Sequence, residues 1–287
     1  MSDIIITADS TCDLSKELAE KYDINIFPLY VVYDGVAKRD GIETTPDDIY
    51  KYVDENKKLT KTSAASVGEY LDYFEKLTEG TKTLIHFSLS SGFSSTYNNA
   101  CLAAEELENV YVVDTKNLST GSGLLVLKAR ELARQGKTAE EIAKTINELA
   151  KCVDASFVIC NLDYLKMGGR CSAVAAFGAN VLKLKPSIEV VDGKMAVGKK
   201  YRGTFLSCLK EYIKERLDGK MDDVDTDRIF ITNTKCDDEV VKAVTEEIKK
   251  YGDFKEILHT NAGSTIACHC GPECLGILYF RKSPKKV

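Results

Sequence analysis

A buried-strand pattern that leads through a hydroxyl-rich loop into an amphipathic helix is the feature that most constrains the fold of this chain. The strand is predicted over residues 83–87, and the following loop carries five serines before Thr96. Apolar residues then recur at helical spacing, at Tyr97, Ala100, Cys101, Ala104 and Leu107. Strand, short loop and helix in this order form the repeating unit of a sheet with parallel strands.

A second hydroxyl-rich segment precedes another predicted helix. Residues 62–66 read Thr-Ser-Ala-Ala-Ser, and Glu69 follows Ser66 by three positions, which predicts a capping box. Unpaired N–H groups at helix N-termini favour anions, and Ser94 lies just before the helix of the first stretch. Helix capping explains each serine taken alone. If the two loops converge at one edge of the sheet, they form a polar binding site.

The order of the predicted elements indicates the architecture. Apolar runs at 3–8, 25–33, 83–87 and 110–113 alternate with helical patterns, which predicts an α/β fold with a mostly parallel sheet and helices on both faces. Asp192-Gly193 between two apolar runs predicts a β-hairpin, and antiparallel signals are found only after Asp154. A helix is predicted over 172–184. We therefore expect an N-terminal α/β domain, 1–154, and a C-terminal α/β domain with the hairpin and a mixed sheet, 155–287.

Composition excludes several classes of function. The net charge of −5 argues against nucleic-acid binding, and no apolar run is long enough to cross a bilayer. The N-terminus lacks a charged leader followed by an apolar stretch, so we expect a cytoplasmic protein. The ten cysteines are scattered through strand and helix patterns, which is typical of free thiols in a reducing compartment. Neither glycine-rich nucleotide signature is found, so we expect no catalytic nucleotide site.

The segment 268–274 contains three cysteines and His269. Zinc is one interpretation, but one-residue gaps place alternate side chains on opposite sides of an extended segment, so we expect no metal. His269 can donate to a carboxylate, orient a serine or bond a backbone carbonyl. Arg170, after two glycines, suits a carboxylate or phosphate at a pocket mouth, although a surface ion pair fits equally well. The basic cluster 199–202 is either a solvated hairpin face or a surface for an acidic partner or an anionic membrane.

These segments together resemble the DegV family of bacterial fatty-acid-binding proteins. The matching segments follow the family order and are 9–14, 62–66, 94–97, 168–170, 200–203 and 269–272. The resemblance implies a two-domain α/β protein that holds one long-chain fatty acid between its domains, without a cofactor. It also implies a partner, the ATP-binding subunit of a fatty acid kinase that makes acyl phosphate, and so a role as a lipid carrier in phospholipid metabolism.

The resemblance also assigns residues. Thr62 and Ser94 bind the carboxylate, with Ser63 beside them, and His269 and Arg170 lie near the head group. Arg202 is a candidate for docking the kinase. The expected geometry is an apolar tunnel closed at its inner end by the hydroxyl groups of Thr62 and Ser94.

Two positions depart from the family pattern. Ser95 and Glu273 stand where the family usually has glycine. The loop at Ser95 is then less free to approach the ligand, and Glu273 weakens binding of a carboxylate unless its side chain points to solvent.

The residues leave two other functions open. One is a hydrolase or acyltransferase with Ser94, or a thiol from 268–274, as the nucleophile. The other is a zinc-dependent regulator.

Overall fold

The computed structural model describes residues 4–79, 82–170 and 184–285. Within these residues the chain forms thirteen strands in three sheets and ten α-helices. The strands are β1 (Ile4–Asp9), β2 (Ile24–Phe27), β3 (Tyr30–Tyr33), β4 (Val36–Arg39), β5 (Lys61–Ser63), β6 (Thr83–Ser88), β7 (Val110–Asp114), β8 (Val153–Ile159), β9 (Leu184–Val191), β10 (Lys194–Arg202), β11 (Val224–Thr234), β12 (Glu256–Asn261) and β13 (Cys274–Arg281). The helices are α1 (Lys16–Tyr22), α2 (Pro46–Asn56), α3 (Val67–Thr78), α4 (Thr96–Ala104), α5 (Ser119–Arg134), α6 (Ala139–Ala150), α7 (Leu162–Gly168), α8 (Phe205–Leu217), α9 (Asp238–Ile248) and α10 (Ser264–Cys270).

The first sheet is parallel throughout and has the strand order β2-β1-β6-β7. Successive residues of β1 face opposite sides, because side chains alternate along a strand. Ile4 and Ile6 join a core cluster with α5 and α6, whereas Ile5 packs against a second cluster formed largely by α3 and α4. Helices therefore cover both faces, and the predicted α/β class is confirmed.

A second sheet of three short antiparallel strands, β4-β3-β5, also lies in the first half of the chain. Two sequence predictions were wrong here: residues 25–33 are not one strand, and antiparallel pairing is not confined to the region after Asp154. The chain leaves β2 at Pro28, which has no N–H to donate to a ladder. After that break β3 pairs with β4 and β5 instead of with β1.

The third sheet has six strands in the order β10-β9-β8-β13-β11-β12, and it is mixed because only β11 and β12 run parallel. The predicted hairpin joins β9 and β10, and its turn residues Asp192 and Gly193 both have positive φ, 46° and 71°. Strand β8 crosses the predicted boundary, so the division at 154 stays a prediction. The helix predicted over 172–184 lies outside the described residues, except that Leu184 begins β9.

Helix α5 packs between the parallel sheet and the six-stranded sheet. Twelve of its sixteen residues are buried, and its contacts reach β1 and β6 on one side and β8, β11 and β13 on the other. A Cβ added to Gly123 would lie 2.9 Å from the Cys12 carbonyl oxygen, so a side chain there would collide with the backbone after β1. The two halves therefore share one continuous core. Within the described ranges, no helix combines the length and apolar character needed to cross a bilayer.

Candidate functional site

The parallel sheet has a topological switch point between β1 and β6. The chain goes from β1 outward to β2, and from β6 outward to β7 in the opposite direction. Ligands of open α/β sheets bind where strand order reverses, outside the carboxyl ends of the strands. Asp9 at the end of β1 accepts hydrogen bonds from Leu89 N at 2.7 Å and Ser88 Oγ at 3.3 Å. It thereby joins the loop after β1 to the loop of residues 89–95, which carries Ser94.

A cavity opens at this point between the two halves of the chain. The space between its walls is about 590 Å³ when the part open to solvent is included. The described lining residues are Leu29, Thr62, Ser63, Ala64, Leu89, Phe93, Ser94, Leu118, Arg170, Met195, Thr265, Ile266, His269 and Cys270. Most of this surface is apolar, and Arg170 is the one charged residue among the described lining residues.

Thr62 enters the site from β5, where it pairs with Val31 of β3. Its Oγ1 atom lies 2.9 Å from Nε2 of His269, which is carried by α10 in the other half of the chain. The sequence analysis treated 268–274 as an extended segment, and this was wrong for His269 because residues 264–270 form a short helix. The helix presents Thr265, Ile266, His269 and Cys270 to the cavity.

His269 is neutral near pH 7. Burial, aided by the positive charge of Arg170, lowers the pKa of His269 to about 4. Its Nδ1 atom is buried without a hydrogen-bond partner among the described residues, and it packs against Gly168, where an added Cβ would lie only 2.2 Å away. An unpaired buried N–H costs more than an unpaired ring acceptor beside a Cα–H group, so we assign the proton to Nε2. Nε2–H then donates to Thr62 Oγ1, and the Thr62 hydroxyl proton remains free to donate into the cavity.

Arg170 links the two halves at the mouth of the cavity. The residue before it, Gly169, ends α7 in the left-handed region with φ of 69°. The guanidinium Nη1 donates to the Gly168 carbonyl at 2.6 Å, and Nε donates to the Phe93 carbonyl at 3.4 Å. Arg170 is therefore tied to the residue that precedes Ser94, while its side chain stays exposed.

Two carboxyl groups from the first half of the chain hold the first turn of α10. Asp13 Oδ1 accepts from Gly263 N at 2.8 Å. Asp40 accepts from Ser264 N at 2.7 Å and from Thr265 N at 3.0 Å. Sequence reasoning missed this role, although Asp13 stands in the polar run that follows β1. The position of His269 thus depends on contacts from both halves.

The β9–β10 hairpin completes the wall. Ser90 Oγ donates to the Gly193 carbonyl at 2.8 Å, and a Cβ on Gly92 would lie 2.3 Å from the same oxygen. This close approach seats the hairpin on the 89–95 loop and places Met195 in the lining.

The five predicted ligand-binding residues, Thr62, Ser63, Ser94, Arg170 and His269, all line this one cavity. Their role in binding stays a prediction. One geometric expectation was wrong, because the hydroxyl groups are not at the inner end. Thr62 and Ser94 are only half-buried, and Ser63 and Arg170 are exposed, so the polar group lies at the mouth. Arg202, the predicted docking residue, is exposed at the end of β10 and does not line the cavity.

The groups considered as nucleophiles lack visible activation. Ser94 Oγ accepts a hydrogen bond from Thr96 N at 3.2 Å, and in the described part of the chain no bond joins it to a basic side chain. Burial raises the pKa of Cys268 to about 11, and a hydrogen bond with Cys270, together with burial, raises the pKa of Cys274. Across the described ranges, no group of three or more His, Cys, Asp or Glu side chains is arranged to hold a metal ion.

The two departures from the family pattern have separate outcomes. Ser95 has φ of −74° and ψ of −3°, a conformation that any L-residue adopts, so glycine is not required there. Glu273 has φ of 55°, in the left-handed region, but its side chain is exposed and does not line the cavity. Neither residue lines the cavity.

Comparison with known proteins identifies the relatives of this chain. A family sequence model described as "Uncharacterised protein, DegV family" matches residues 3–282. A DegV domain-containing protein of Clostridium acetobutylicum is 33% identical over 291 residues, which cover 98% of this chain and 100% of the relative. A DegV domain-containing protein of Clostridium perfringens is 31% identical over 289 residues, with the same coverage.

Comparison with solved structures shows that this chain shares its fold with known fatty acid binding proteins. A DegV family protein from Thermus thermophilus, described by its fatty acid binding, superposes with a TM-score of 0.86 at 29% identity and covers 97% of this chain and 99% of its own. A stearic acid-binding protein from Eubacterium ventriosum has a TM-score of 0.84 at 29% identity, covering 98% and 99%. DegV from Bacillus subtilis, a fatty acid binding protein, has a TM-score of 0.83 at 29% identity, covering 98% and 100%.

Proposed function

The chain belongs to the DegV family, and from this premise we propose that it binds one long-chain fatty acid in the cavity between its two halves. The observation that carries the proposal is the division of the cavity wall. Hydroxyl groups, a neutral imidazole and one guanidinium gather at the mouth, and the side chains that line the interior are apolar apart from Thr265. An amphipathic ligand with a single polar head matches this division.

The head group is proposed to lie between Thr62, Ser94 and Arg170. With the His269 proton on Nε2, the Thr62 hydroxyl donates to a carboxyl oxygen, and Ser94 supplies a second hydroxyl. Arg170 adds positive charge at the exposed side of the site. Hydrogen bonds to a charged group are each worth about 1.5–3 kcal/mol.

The interior supports a long acyl chain. Leu118, Ile266 and Cys270 line the first cavity and also a second one, which reaches towards Phe157 and Leu278. The space of this second cavity is about 330 Å³ when the part open to solvent is included. A tail that enters both cavities buries many methylene groups. Fifteen methylenes at ~0.8 kcal/mol each give on the order of 12 kcal/mol before the cost of ordering the ligand.

The finer role that we propose is that of a carrier rather than an enzyme. The chain holds the acyl tail and presents the carboxyl group to a separate ATP-dependent fatty acid kinase, which transfers a phosphoryl group to it and forms an acyl phosphate. The exposed mouth supports this role, because a partner can reach the head group without displacing the tail. Arg202 is the proposed docking residue, and the basic cluster around it also suits brief contact with an anionic membrane surface.

The competing function is a hydrolase or acyltransferase that uses Ser94. A serine nucleophile needs an adjacent base to take its proton. Among the described residues, no basic side chain is hydrogen-bonded to Ser94 Oγ, and this favours binding over catalysis.

Mass spectrometry of lipid extracted from the purified full chain tests the proposal. We expect close to one free fatty acid per chain. Recovery of no fatty acid, together with no uptake of added fatty acid, would contradict it. Stable acylation of Ser94 followed by turnover would instead support the enzyme.

A further inference from the structure

One hydroxyl group in the cavity wall has no partner among the residues that the structure describes. Thr265 is 5% exposed and lines the cavity, and its Oγ1 atom is buried without a hydrogen bond. The backbone N–H of the same residue is already used, since it donates to Asp40. The hydroxyl therefore makes no bond that holds the helix among the described residues, and a buried hydroxyl without a partner costs free energy.

The position of Thr265 relative to the head-group residues follows from the helix. Thr265 precedes His269 by four residues, so both side chains lie on one face of α10, separated by ~6 Å along the axis. Ser63 and Arg170 at the mouth are exposed, whereas Thr265 is buried, so Thr265 lies on the inner side of the head-group site. A separation of ~6 Å spans only a few carbon–carbon bonds, so Thr265 faces the first part of an acyl chain.

We propose that Thr265 is a specificity-determining residue that recognises a hydroxyl group on one of the first carbons after the carboxyl group, as in 2- or 3-hydroxy fatty acids. The inference rests on the proposed function, because the carboxyl group must lie at Thr62 and Ser94 for the ligand hydroxyl to reach Thr265. A hydroxyl group both donates and accepts, so it pairs with Thr265 Oγ1 in either direction. A plain methylene at this point leaves Thr265 unpaired in a dry complex.

The test is a competition experiment on the delipidated full chain. Unlabelled palmitate, 2-hydroxypalmitate, 3-hydroxypalmitate and 16-hydroxypalmitate each displace a bound fluorescent fatty acid, cis-parinaric acid. We expect one of the two proximal hydroxy acids to bind about fivefold or more tightly than palmitate, since a site that hydrogen-bonds a ligand hydroxyl discriminates against the analogue without it. The 16-hydroxy isomer, with its hydroxyl at the far end, should gain nothing.

Two variants assign the preference to the side chain. Thr265→Val keeps the shape and removes the hydroxyl, so it should abolish the preference while palmitate still binds. Thr265→Ser retains the hydroxyl and should retain the preference.

A preference that survives in Thr265→Val overturns the inference. So does a wild-type preference below about twofold, because it means that no ligand hydroxyl pairs with Thr265. In both cases palmitate still binds and the proposed function stands. If the wild-type chain binds none of the four acids, the proposed function itself fails, and the inference fails with it.

Discussion

Thr62 and His269 are 207 positions apart in the sequence, and their side chains meet at 2.9 Å across the junction of the two halves. With the His269 proton assigned to Nε2, the imidazole donates to Thr62 Oγ1, and the Thr62 hydroxyl proton is left to donate to a ligand. Because β5 supplies one partner and α10 the other, any shift between the halves changes the donor that a ligand meets. Ligand affinity should therefore report directly on this contact.

Removing the two mouth hydroxyls should weaken fatty acid binding. In Thr62→Val with Ser94→Ala, the head group loses two donors, and at about 1.5–3 kcal/mol for each bond to a charged group we expect a loss of at least about a hundredfold. Competition against a fluorescent fatty acid measures the change. Ser91→Ala in the same loop is the control, since Ser91 bonds Asp114 and does not line the cavity. Equal affinity in the double variant and the wild type contradicts the assignment.

Gly168→Ala should disturb the site without touching a ligand. A Cβ at this position would lie 2.2 Å from His269 Nδ1, so the imidazole must move and its bond to Thr62 must lengthen or break. We expect about a tenfold or greater loss of affinity, equivalent to about 1.4 kcal/mol. Gly68→Ala is the matched control, because Gly68 is also helical and has nothing within 4 Å of its added Cβ. The prediction fails if the two variants bind fatty acid equally well.

Acid should destabilise the protein through its buried histidines. The pKa of His269 is lowered to about 4, and burial lowers the pKa of His86 to about 3. Between an ordinary pKa near 6.5 and these values, the unfolded chain takes up protons that the folded chain does not, so stability falls as pH falls through this window. Urea unfolding at pH 7, 6, 5 and 4 measures the slope. In His269→Gln, the dependence of the unfolding free energy on pH should be shallower, because the contribution of His269 is removed. An unchanged dependence would mean that His269 is not buried as a neutral group.

Alkali should destabilise the protein through the buried carboxyl group of Asp13. Burial, with the nearby Asp40 and Asp9, raises the pKa of Asp13 to about 8, although bonds from Ser119 and Gly263 N–H act in the opposite direction. The folded chain then keeps a proton that the unfolded chain has lost, so the stability contributed by this proton is lost as pH rises from about 4 towards 8 and is gone above it. Other titratable groups lie near Asp13: the Cys12 thiol precedes it in the sequence, and Lys16, Glu20 and Asp23 line the same groove as Asp13.

Asp13→Asn should remove this alkaline loss. Asparagine tolerates the positive φ of 51° at this position and reproduces a neutral acid, since its amide donates to Ser119 and its oxygen accepts from Gly263 N–H. We expect the variant to exceed the wild type by on the order of 1–3 kcal/mol at pH 9 and to match it below about pH 4. Thermal melting at both pH values measures this. A constant difference across the range would mean that Asp13 does not titrate.

Glu273→Gly should stabilise the fold. Glu273 has φ of 55°, and a left-handed conformation costs an L-residue about 1–2 kcal/mol that glycine does not bear. Since the side chain is exposed and lies outside the cavity lining, ligand affinity should stay unchanged. Denaturant unfolding gives the difference in free energy. Glu239→Gly within α9 is the control and should destabilise by about 1 kcal/mol. A destabilised Glu273→Gly would show that the side chain makes a needed contact.

Much of the fold could be predicted because it depends on local patterns. The capping box at Ser66 and Glu69 is formed, and the Asp192-Gly193 turn joins β9 to β10. The parallel sheet could be predicted from the alternation of strand and helix. Local patterns failed at Pro28, where one apolar run supplies strands to two different sheets, because periodicity does not show which neighbour a strand will pair with.

The residues of the site likewise divide into those that local sequence identifies and those that only the packing reveals. The hydroxyl-rich loops at Thr62 and Ser94 could be singled out from residue type and position. Arg170 and His269 were candidates from residue type, and only the family resemblance placed them near the head group. The roles of Asp13 and Asp40 could not be predicted. In a sequence, a carboxyl group that accepts hydrogen bonds from a distant segment looks the same as a solvated one. Thr265 could not either, since only its burial without a partner among the described residues distinguishes it from an ordinary helical threonine.

The sequence by itself determined most of the strands and helices, which face of each is apolar, and which family the chain resembles. These properties depend on backbone propensity and on the spacing of apolar side chains within single elements. Only the tertiary structure decided that Thr62 meets His269, that the polar groups lie at the mouth of the cavity, and that Thr265 is a buried part of its wall. Those facts depend on which distant surfaces pack together, and packing is set by the shape and burial of the whole chain.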